Sequence, residues 1–299
     1  MSLKGKVAIV TGASQGIGKE IALLFATHGL SVALAARNKS NLEQLLEKIR
    51  NSGGQAISIL TDISDCHQVS NMINKTVSEF GGIDILINNA GVPWFGKAID
   101  DTNKNAGQLF ERLIATNLKG TWFCTKYAVP YFKKRNGGAI VNISSVHAHA
   151  AIPKDSAYSM TKGGILALTR SLAIELAPYN IRVNSISPGW IQTQTESRLK
   201  SRFGRKITDQ YFQMFGDYEN DRLKTNQPLR RVGHVRDVAE CALFLVSEKS
   251  RFITGVDIPV DGGLTALLGE PIQFDLEELL RIKKRGEQAA GWLEKLEEN

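Results

Sequence analysis

The pattern of apolar and polar positions alternates between two kinds of segment along most of the chain. Short apolar runs rich in β-branched residues, such as Val7–Val10 and Ser31–Ala35, predict buried strands. Segments such as Cys66–Phe80, in which apolar residues recur every three or four positions, predict amphipathic helices. A regular alternation of strand and helix is typical of an α/β protein with a doubly wound parallel sheet.

Two segments depart from this alternation. Residues 192–231 have no regular period and carry aromatic side chains among charges, which predicts a substrate-covering insertion with short helices of its own. Residues 275–298 are highly charged with scattered apolar positions, which predicts a helix. We therefore expect a single domain over residues 1–266, with the cover at 192–231, and a C-terminal helical extension over 267–299.

The first strand is followed at once by a glycine-rich loop, Thr11–Gly18, and then by a helix. In this context glycines allow backbone amides and a helix N-terminus to approach a pyrophosphate, as in Rossmann folds. The alternative is a glycine-rich turn that binds nothing. The predicted cofactor-binding residues of the loop are Gly12, Ser14, Gln15, Gly16, Ile17 and Gly18.

The end of the second strand bears on which dinucleotide is bound. An acidic residue at this point would bind the ribose 2′-hydroxyl of NAD, but the chain has Ala36, Arg37 and Asn38. An arginine suits a 2′-phosphate, so we expect NADP(H) to be preferred, with NAD(H) as a possible second cofactor. The alternative is that Arg37 is a solvated loop residue.

Candidate proton-transfer chemistry follows the strand Ala139–Ile143. Ser145 lies just beyond this strand, and Tyr158 and Lys162 are four residues apart at the start of the next helix, so their side chains share a face. A neighbouring ammonium favours the phenolate, which predicts a pKa of Tyr158 below its ordinary value of about 10. The alternative for an isolated Tyr-x-x-x-Lys pair is a solvated helix face.

Taken together, these motifs resemble the short-chain dehydrogenase/reductase family in its single-domain form. The resemblance covers residues 3–266, and the motifs occur in the family's order: Thr11–Gly18, Asn88–Gly91, Asn117, Ser145, Tyr158 with Lys162, and Pro188–Gly189. The family implies a Rossmann fold and an NAD(P)-dependent oxidoreductase acting on CH–OH groups. Such an enzyme interconverts a ketone or aldehyde and a secondary alcohol.

The resemblance also implies residue roles. Tyr158 would be the general acid in reduction and the base in oxidation, and Lys162 would lower its pKa and bind the nicotinamide ribose. Ser145 would polarise the substrate oxygen, and Asn117 would hold a water linked to Lys162. Further implied cofactor contacts are Asp62, Ile63, Asn89, Ala90, Gly91, Pro188, Gly189, Ile191 and Thr193.

The substrate pocket is predicted to involve Ser145, Tyr158, His147, Trp94 and Trp190. A similar Ser-Ser-Val-His run occurs in glucose 1-dehydrogenases of the family, which favours a sugar or polyol. The overall pattern is equally similar to 3-oxoacyl-carrier-protein reductases. The bland alternative is that His147 and His149 are surface residues that cap local backbone. No carboxylate or cysteine accompanies them at metal-ligand spacing, so we expect no metal.

Composition narrows the classes of partner. The net charge of +7 comes from scattered lysine and arginine residues, which argues against a nucleic-acid groove. The three cysteines are far apart, which favours a reducing, cytoplasmic compartment, and no signal peptide or membrane span is expected. The family resemblance implies a homotetramer, with Trp122, Phe123, Leu166 and Leu172 supplying apolar groups in the helices it buries.

Two non-enzymatic alternatives remain at this stage. A regulatory protein of the same fold that binds a cofactor without turnover usually lacks the tyrosine or the lysine, and both are present here. An assembly protein would use the C-terminal extension to bind a partner, although that helix packing on its own subunit is the simpler expectation.

Overall fold

A seven-stranded parallel sheet forms the framework of the computed structural model, which describes residues 3–93, 99, 106–152, 154–193, 204–211, 213–214, 221, 227–267 and 276–297. The strand order is β3-β2-β1-β4-β5-β6-β9, and every neighbouring pair is parallel. The strands are β1 (Val7–Thr11), β2 (Ser31–Ala36), β3 (Gln55–Leu60), β4 (Ile85–Asn88), β5 (Gly138–Ile143), β6 (Ile181–Pro188) and β9 (Asp257–Val260).

Helices connect these strands by crossovers, as parallel pairing requires. They are α1 (Gly16–Thr27), α2 (Lys39–Asn51), α3 (Cys66–Phe80), α4 (Ala106–Ile114), α5 (Thr121–Lys134), α6 (Ser156–Leu176) and α7 (Val235–Val246). The predicted doubly wound parallel sheet is confirmed. Strands β1, β2 and β4 are buried at every position, which explains why they read as continuous apolar runs rather than alternating ones.

The strand order reverses between β1 and β4. The chain moves outward from β1 through β2 to β3, then returns to the other side of β1 with β4 and continues to β5, β6 and β9. In open α/β sheets the crevice outside the carboxyl ends of the strands at such a reversal is where ligands bind. The glycine loop after β1 and Asn89 after β4 lie at this point.

The long helical stretch before β5 has two irregular features. α5 continues through Pro130 to Lys134, although a proline inside a helix removes one backbone hydrogen bond. A π-helical turn, Ala115–Gly120, separates α4 from α5 and contains Asn117. A π turn inserts an extra residue into the helix and reorients the side chains it carries, and such turns are frequent at functional sites.

Two of the four side chains proposed for a subunit interface are committed to the core of their own chain. Leu166 is 9% exposed and Leu172 is 7% exposed, and Leu172 packs in the main hydrophobic cluster. Trp122 is 43% exposed, so it is available to a partner, and Phe123 is partly buried. The prediction for Leu166 and Leu172 was wrong because the helix period alone does not say which subunit a buried face contacts.

The described residues divide into two compact units, the first up to Pro188 together with Val235–Val260. The second comprises Gly189–His234 and the residues from Asp261 onward. It contains a two-stranded parallel pair, β7 (Ile191–Gln192) and β8 (Gly233–His234), which the sequence pattern did not indicate.

The predicted C-terminal helix is present as α8 (Leu276–Glu297) and packs within this second unit. Trp292 lies against Tyr211, with ring centroids 6.0 Å apart, and Arg281 pairs with Asp221 at 3.0 Å. Ala289 is buried. These contacts favour the simpler expectation that the extension packs on its own chain. Among the described residues, no helix has the length and apolarity to cross a membrane.

Candidate active site

The glycine loop after β1 is packed against the residues that follow β4. Gly12 has a φ of +66°, and a Cβ there would lie 2.7 Å from Asn89 Nδ2 and 2.9 Å from Ala90 Cα. At Gly18 a Cβ would collide with the same Asn89 amide and with the Gly12 carbonyl. Both positions therefore require glycine, because only a residue without a side chain permits this approach.

Hydrogen bonds hold this loop and the end of β4 together. Asn89 Nδ2 donates to the Thr11 carbonyl at 2.9 Å, and the Thr11 hydroxyl accepts from the backbone amides of Asn89 and Ala90, both at 3.0 Å. Gln15 precedes α1 without a side-chain cap. The amides of this N-terminus and the close glycine backbone are a cradle that fits a dinucleotide pyrophosphate. Thr11 was not singled out from the sequence.

At the end of β2, Arg37 pairs with Asp62, which follows β3. Arg37 Nη1 lies 3.6 Å from Asp62 Oδ2, and the Arg37 side chain is 51% exposed. Partial burial raises the pKa of Asp62, but hydrogen bonds from the Ser64 hydroxyl and amide, then Arg37, outweigh it and hold that pKa below its ordinary value. Two predicted cofactor residues are thus neighbours of opposite charge.

Two other predicted cofactor residues at these strand ends have structural roles. Asn38 caps α2, since its Oδ1 accepts from the Asn41 amide at 3.0 Å. Ile63 is 5% exposed in the core, where Gly120 packs directly on it. Neither contact could be predicted from the motif that drew attention to these positions.

Lys162 is buried beneath the end of β5. It is 7% exposed, and its Nζ donates to the Ile143 carbonyl at 3.0 Å. The Ser144 hydroxyl donates to the Lys162 carbonyl at 2.9 Å, so α6 and β5 are joined by two hydrogen bonds at this point. Burial lowers the pKa of Lys162 to about 8.

Tyr158 lies one turn before Lys162 on α6, as predicted, and Ser145 hydrogen-bonds to it. Lys162 Nζ lies 5.4 Å from the Tyr158 ring centroid. The predicted lowering of the tyrosine pKa is wrong for the protein itself: burial raises the pKa of Tyr158 to about 12, the Ser145 hydrogen bond lowers it, and the charge of Asp155 raises it. Desolvation dominates because the ammonium that should favour the phenolate is itself disfavoured by burial.

The π turn directs Asn117 toward this corner. Asn117 Oδ1 accepts from the Val92 amide at 2.8 Å, and Nδ2 donates to the Val92 carbonyl at 3.1 Å and to Thr161 Oγ1 at 3.3 Å. A Cβ on Gly91 would lie 3.3 Å from Asn117 Oδ1 and 3.8 Å from Lys162 Nζ. Asn117 therefore connects the segment after β4 to the helix that carries Tyr158 and Lys162.

The two histidines after Ser145 have carboxylate partners, which corrects the alternative in which they only cap local backbone. His147 Nδ1 hydrogen-bonds to Asp155, and His149 Nε2 to Asp257 at 2.7 Å. Neither carboxylate was singled out from the sequence. Asp257 is distant in sequence, and Asp155 falls in a loop with no repeating pattern. No group of three metal-ligating side chains occurs among the described residues.

The remaining predicted residues fall into three groups. Pro188 ends β6 in the first unit. Gly189, Trp190, Ile191 and Thr193 belong to the second unit, where a Cβ on Gly189 would lie 2.7 Å from Asp261 Cα, and the Trp190 carbonyl accepts from the Gly233 amide at 2.9 Å. Trp94 lies outside the described residues, as does much of the predicted cover.

The first unit therefore brings Asn117, Ser145, Tyr158 and Lys162 together at the carboxyl edge of the sheet. A phenol held by a serine hydroxyl can exchange a proton with an oxygen bound between them. The glycine cradle lies at the same edge, after β1, which β4 separates from β5. This edge of the sheet therefore carries both a backbone cradle that fits a dinucleotide pyrophosphate and a phenol that can take part in acid-base chemistry.

Comparisons with known proteins show the family of the chain. A family model described as enoyl-(acyl carrier protein) reductase matches residues 12–265. An uncharacterized oxidoreductase of Thermotoga maritima is 40% identical over 264 residues, which cover 88% of this chain and 97% of that protein. A 3-oxoacyl-[acyl-carrier-protein] reductase of the same organism is 34% identical over 88% of this chain and 99% of its own.

A solved structure extends the comparison to three dimensions. A 7 alpha-hydroxysteroid dehydrogenase, complexed with NADH and 7-oxo glycochenodeoxycholic acid, is 34% identical with a TM-score of 0.74. The match covers 87% of this chain and 94% of that one.

Proposed function

Since the chain belongs to the short-chain dehydrogenase/reductase family and is an oxidoreductase with a nicotinamide cofactor, we propose that it interconverts a ketone or aldehyde and a secondary alcohol with NADP(H). The observation that carries this proposal is the corner formed by Ser145, Tyr158 and Lys162. When bound, the nicotinamide supplies or accepts the hydride at the substrate carbon.

The protein's own residues manage the proton. Ser145 and Tyr158 bind the substrate oxygen, and Tyr158 donates its proton to that oxygen in reduction and removes it in oxidation. The raised pKa of Tyr158 keeps the phenol protonated at neutral pH, which suits the reductive direction. Asn117 fixes the segment after β4 against α6, so that the Tyr158–Lys162 face keeps its position.

NADP(H) is proposed over NAD(H) because Arg37 replaces an acid at the end of β2. The exposed guanidinium can bind a 2′-phosphate through charge-assisted hydrogen bonds. The solved 7 alpha-hydroxysteroid dehydrogenase holds NADH, so membership of the family alone does not decide the cofactor. The glycine cradle after β1 fits the pyrophosphate of either dinucleotide, so we assign the preference for NADP(H) to Arg37.

Two substrate classes are proposed. The relative that is a 3-oxoacyl-[acyl-carrier-protein] reductase favours a 3-oxoacyl thioester. A sugar or polyol is the second candidate, favoured by the imidazole of His147 beside Tyr158, which is a hydrogen-bonding group in the wall of the site.

One experiment separates these classes. NADPH oxidation is followed with a 3-oxoacyl thioester, a simple ketone and a bile-acid ketone, and NADP⁺ reduction is followed with glucose and other polyols. We expect turnover with at least one carbonyl or alcohol, and its loss in Tyr158→Phe. A protein that binds NADPH but turns over no member of a broad panel would support the cofactor-binding regulatory or assembly alternative.

We also propose a homotetramer in a cytoplasmic setting. Trp122, 43% exposed on α5, and Met160, 47% exposed on α6, are apolar groups that a closed symmetric interface would bury. Light scattering at micromolar concentration tests the assembly: a tetramer mass is expected, Trp122→Asp should reduce it, and a stable monomer would contradict the proposal.

A further inference from the structure

The loop between Ser145 and α6 contains a buried pair that the proposed mechanism does not use. The side chains of His147 and Asp155 are 14% and 9% exposed, and His147 Nδ1 hydrogen-bonds to the Asp155 carboxylate. In this contact the imidazole nitrogen donates and the carboxylate oxygen accepts. The imidazole is therefore held in one orientation.

Asp155 occupies the N-cap position of α6 without acting as a side-chain cap. An aspartate at this position ordinarily accepts from an amide of the first helical turn, a contact that stabilises the helix. Here the Asp155 side chain makes no such bond. Its carboxylate is directed to His147 instead, so α6 starts without the usual capping stabilisation at the turn that carries Tyr158.

His147 connects Asp155 to Tyr158, because its ring contacts both side chains. The two rings meet edge to face, with centroids 5.5 Å apart and an interplanar angle of 86°. The His147 amide also donates to Ser145 Oγ at 3.3 Å. His147 thus contacts both residues that would hold the substrate oxygen, Tyr158 through its ring and Ser145 through its backbone amide. An edge-to-face aromatic contact of this kind restricts ring position.

We propose that Asp155 is a positioning residue, which through His147 fixes the Tyr158 ring and sets the charge environment of its hydroxyl. This inference rests on the proposed function of Tyr158 and adds two residues to that site. The geometry has two consequences: the buried carboxylate orients the imidazole, and its charge opposes ionisation of the phenol.

The charges around Tyr158 make the second consequence measurable. The titratable and polar groups near its ring come from four places: Ser145 after β5, His147 in the following turn, Asp155 at the N-cap position of α6, and Lys162 on that helix. After burial, which raises the pKa of Tyr158 most, the charge of Asp155 raises it further. Asp155→Asn keeps the size and a hydrogen-bond acceptor while removing that charge. The pKa of Tyr158 should therefore fall.

The molecule provides a matched control in its second histidine–aspartate pair. His149 Nε2 binds Asp257, whose other oxygen accepts from the Ser185 hydroxyl at 2.6 Å. The His149–Asp257 pair is in the same unit, and His149 is in the same loop as His147. Neither His149 nor Asp257 contacts Tyr158. Asp257→Asn therefore removes a carboxylate from a comparable pair without changing the charge at the phenol.

The test measures Tyr158 ionisation directly, by NMR of protein labelled at the tyrosine ζ carbon and titrated upward from neutral pH. The signal is assigned by its absence in Tyr158→Phe, since the chain has six tyrosines. Relative to wild type, we expect Asp155→Asn to lower the pKa of Tyr158 by about half a unit or more, and Asp257→Asn to leave it unchanged. Equal titration of Tyr158 in the wild type and Asp155→Asn would overturn the inference.

Variants of His147 separate positioning from general stability. His147→Phe retains a ring edge for Tyr158 but loses the bond to Asp155, whereas Asp155→Glu retains the carboxylate. We expect Asp155→Glu to restore the wild-type pKa of Tyr158 and the wild-type pH profile of oxidation. His147→Phe should broaden the Tyr158 signal. If Asp155→Asn lowers the pKa of Tyr158 but the wild-type protein turns over no substrate, this inference holds and the proposed function fails.

Discussion

Two basic side chains at the carboxyl edge of the sheet, Lys162 and Arg37, are placed in opposite environments. Lys162 is 7% exposed and donates to the Ile143 carbonyl, and it has no carboxylate partner among the described residues. The Arg37 side chain is 51% exposed and pairs with Asp62 at 3.6 Å. Burial lowers the pKa of Lys162 to about 8, whereas Arg37 has the surrounding solvent to stabilise its charge.

This difference in exposure determines how strongly charges interact at the two corners. At the Tyr158–Lys162 corner, low solvent exposure makes each charge costly and strongly coupled to its neighbours. At the Arg37–Asp62 corner, water and salt screen the charges, so each interaction is weak and adjustable. We therefore expect large effects from changes at the first corner and small, salt-dependent effects from changes at the second.

Removal of the phenol should have the largest effect. Tyr158→Phe keeps the ring contact with His147 but removes the proposed proton donor, so turnover should fall by about 10²–10⁴ when chemistry limits the rate. Dinucleotide affinity, measured by fluorescence titration, should change little. Tyr179→Phe is the matched control, because Tyr179 is an exposed tyrosine elsewhere on the chain. Near-normal turnover in Tyr158→Phe would mean that another group supplies the proton.

Replacing the buried lysine should affect stability as well as activity. We expect Lys162→Met to reduce turnover and dinucleotide affinity together. Because the pKa of Lys162 is lowered from 10.5 to about 8, the unfolded chain binds more protons between these values, and stability rises with pH in that window. The cost of burying the ammonium is present below about pH 8 and is relieved as the lysine loses its proton.

Thermal unfolding of the wild type and Lys162→Met from pH 7 to pH 10 measures this contribution. The wild type should gain stability relative to Lys162→Met as the pH rises through about 8. Tyr158 has the opposite effect on the pH dependence of stability. Burial raises its pKa from 10.0 to about 12, so the stability that the protonated phenol contributes is lost only as the pH rises above 10. Parallel curves for the two proteins across this range would show that Lys162 is not strongly desolvated.

The two corners also show which features of the site could be predicted from the sequence and which could not. Glycine spacing, the apolar runs and the four-residue separation of Tyr158 and Lys162 are local, and they predicted the parallel sheet and the shared helix face. The pKa of Tyr158 depends on burial and on Asp155, which the local pattern does not contain. The bonds from His149 to Asp257 and from Asn117 to Val92 join residues distant in sequence, so no spacing rule indicates them.

Arg37 should influence cofactor choice by about tenfold. A charge-assisted contact to the 2′-phosphate is worth about 1.5–3 kcal/mol, enough for a tenfold preference for NADPH over NADH. Arg37→Asp should reverse the preference, while Arg205→Asp, a change at an exposed arginine paired with Asp209, should not. Titration of both cofactors at low and high salt measures the ratio. Equal affinities in the wild type would remove Arg37 from this role.

The smallest expected effect concerns the partner of Arg37. The lowered pKa of Asp62 keeps its carboxylate ionised at neutral pH, where it lies 3.6 Å from the guanidinium and competes with a 2′-phosphate for it. An exposed pair of this kind is worth about 0.2–1 kcal/mol, so Asp62→Asn should raise the ratio of NADPH to NADH affinity by only about 1.4- to fivefold.

Comparing the ratio of NADPH to NADH affinity cancels the second effect expected of Asp62, a contact with the adenine. If this residue contacts the adenine, its loss weakens both cofactors equally and leaves their ratio unchanged. The rise should be largest at low ionic strength and should shrink as salt screens the exposed charges. It should also require Arg37, so Asp62→Asn made in the Arg37→Asp background should leave the ratio nearly where it was. A rise of the same size without Arg37 would show that the carboxylate acts on the phosphate directly rather than by occupying the arginine.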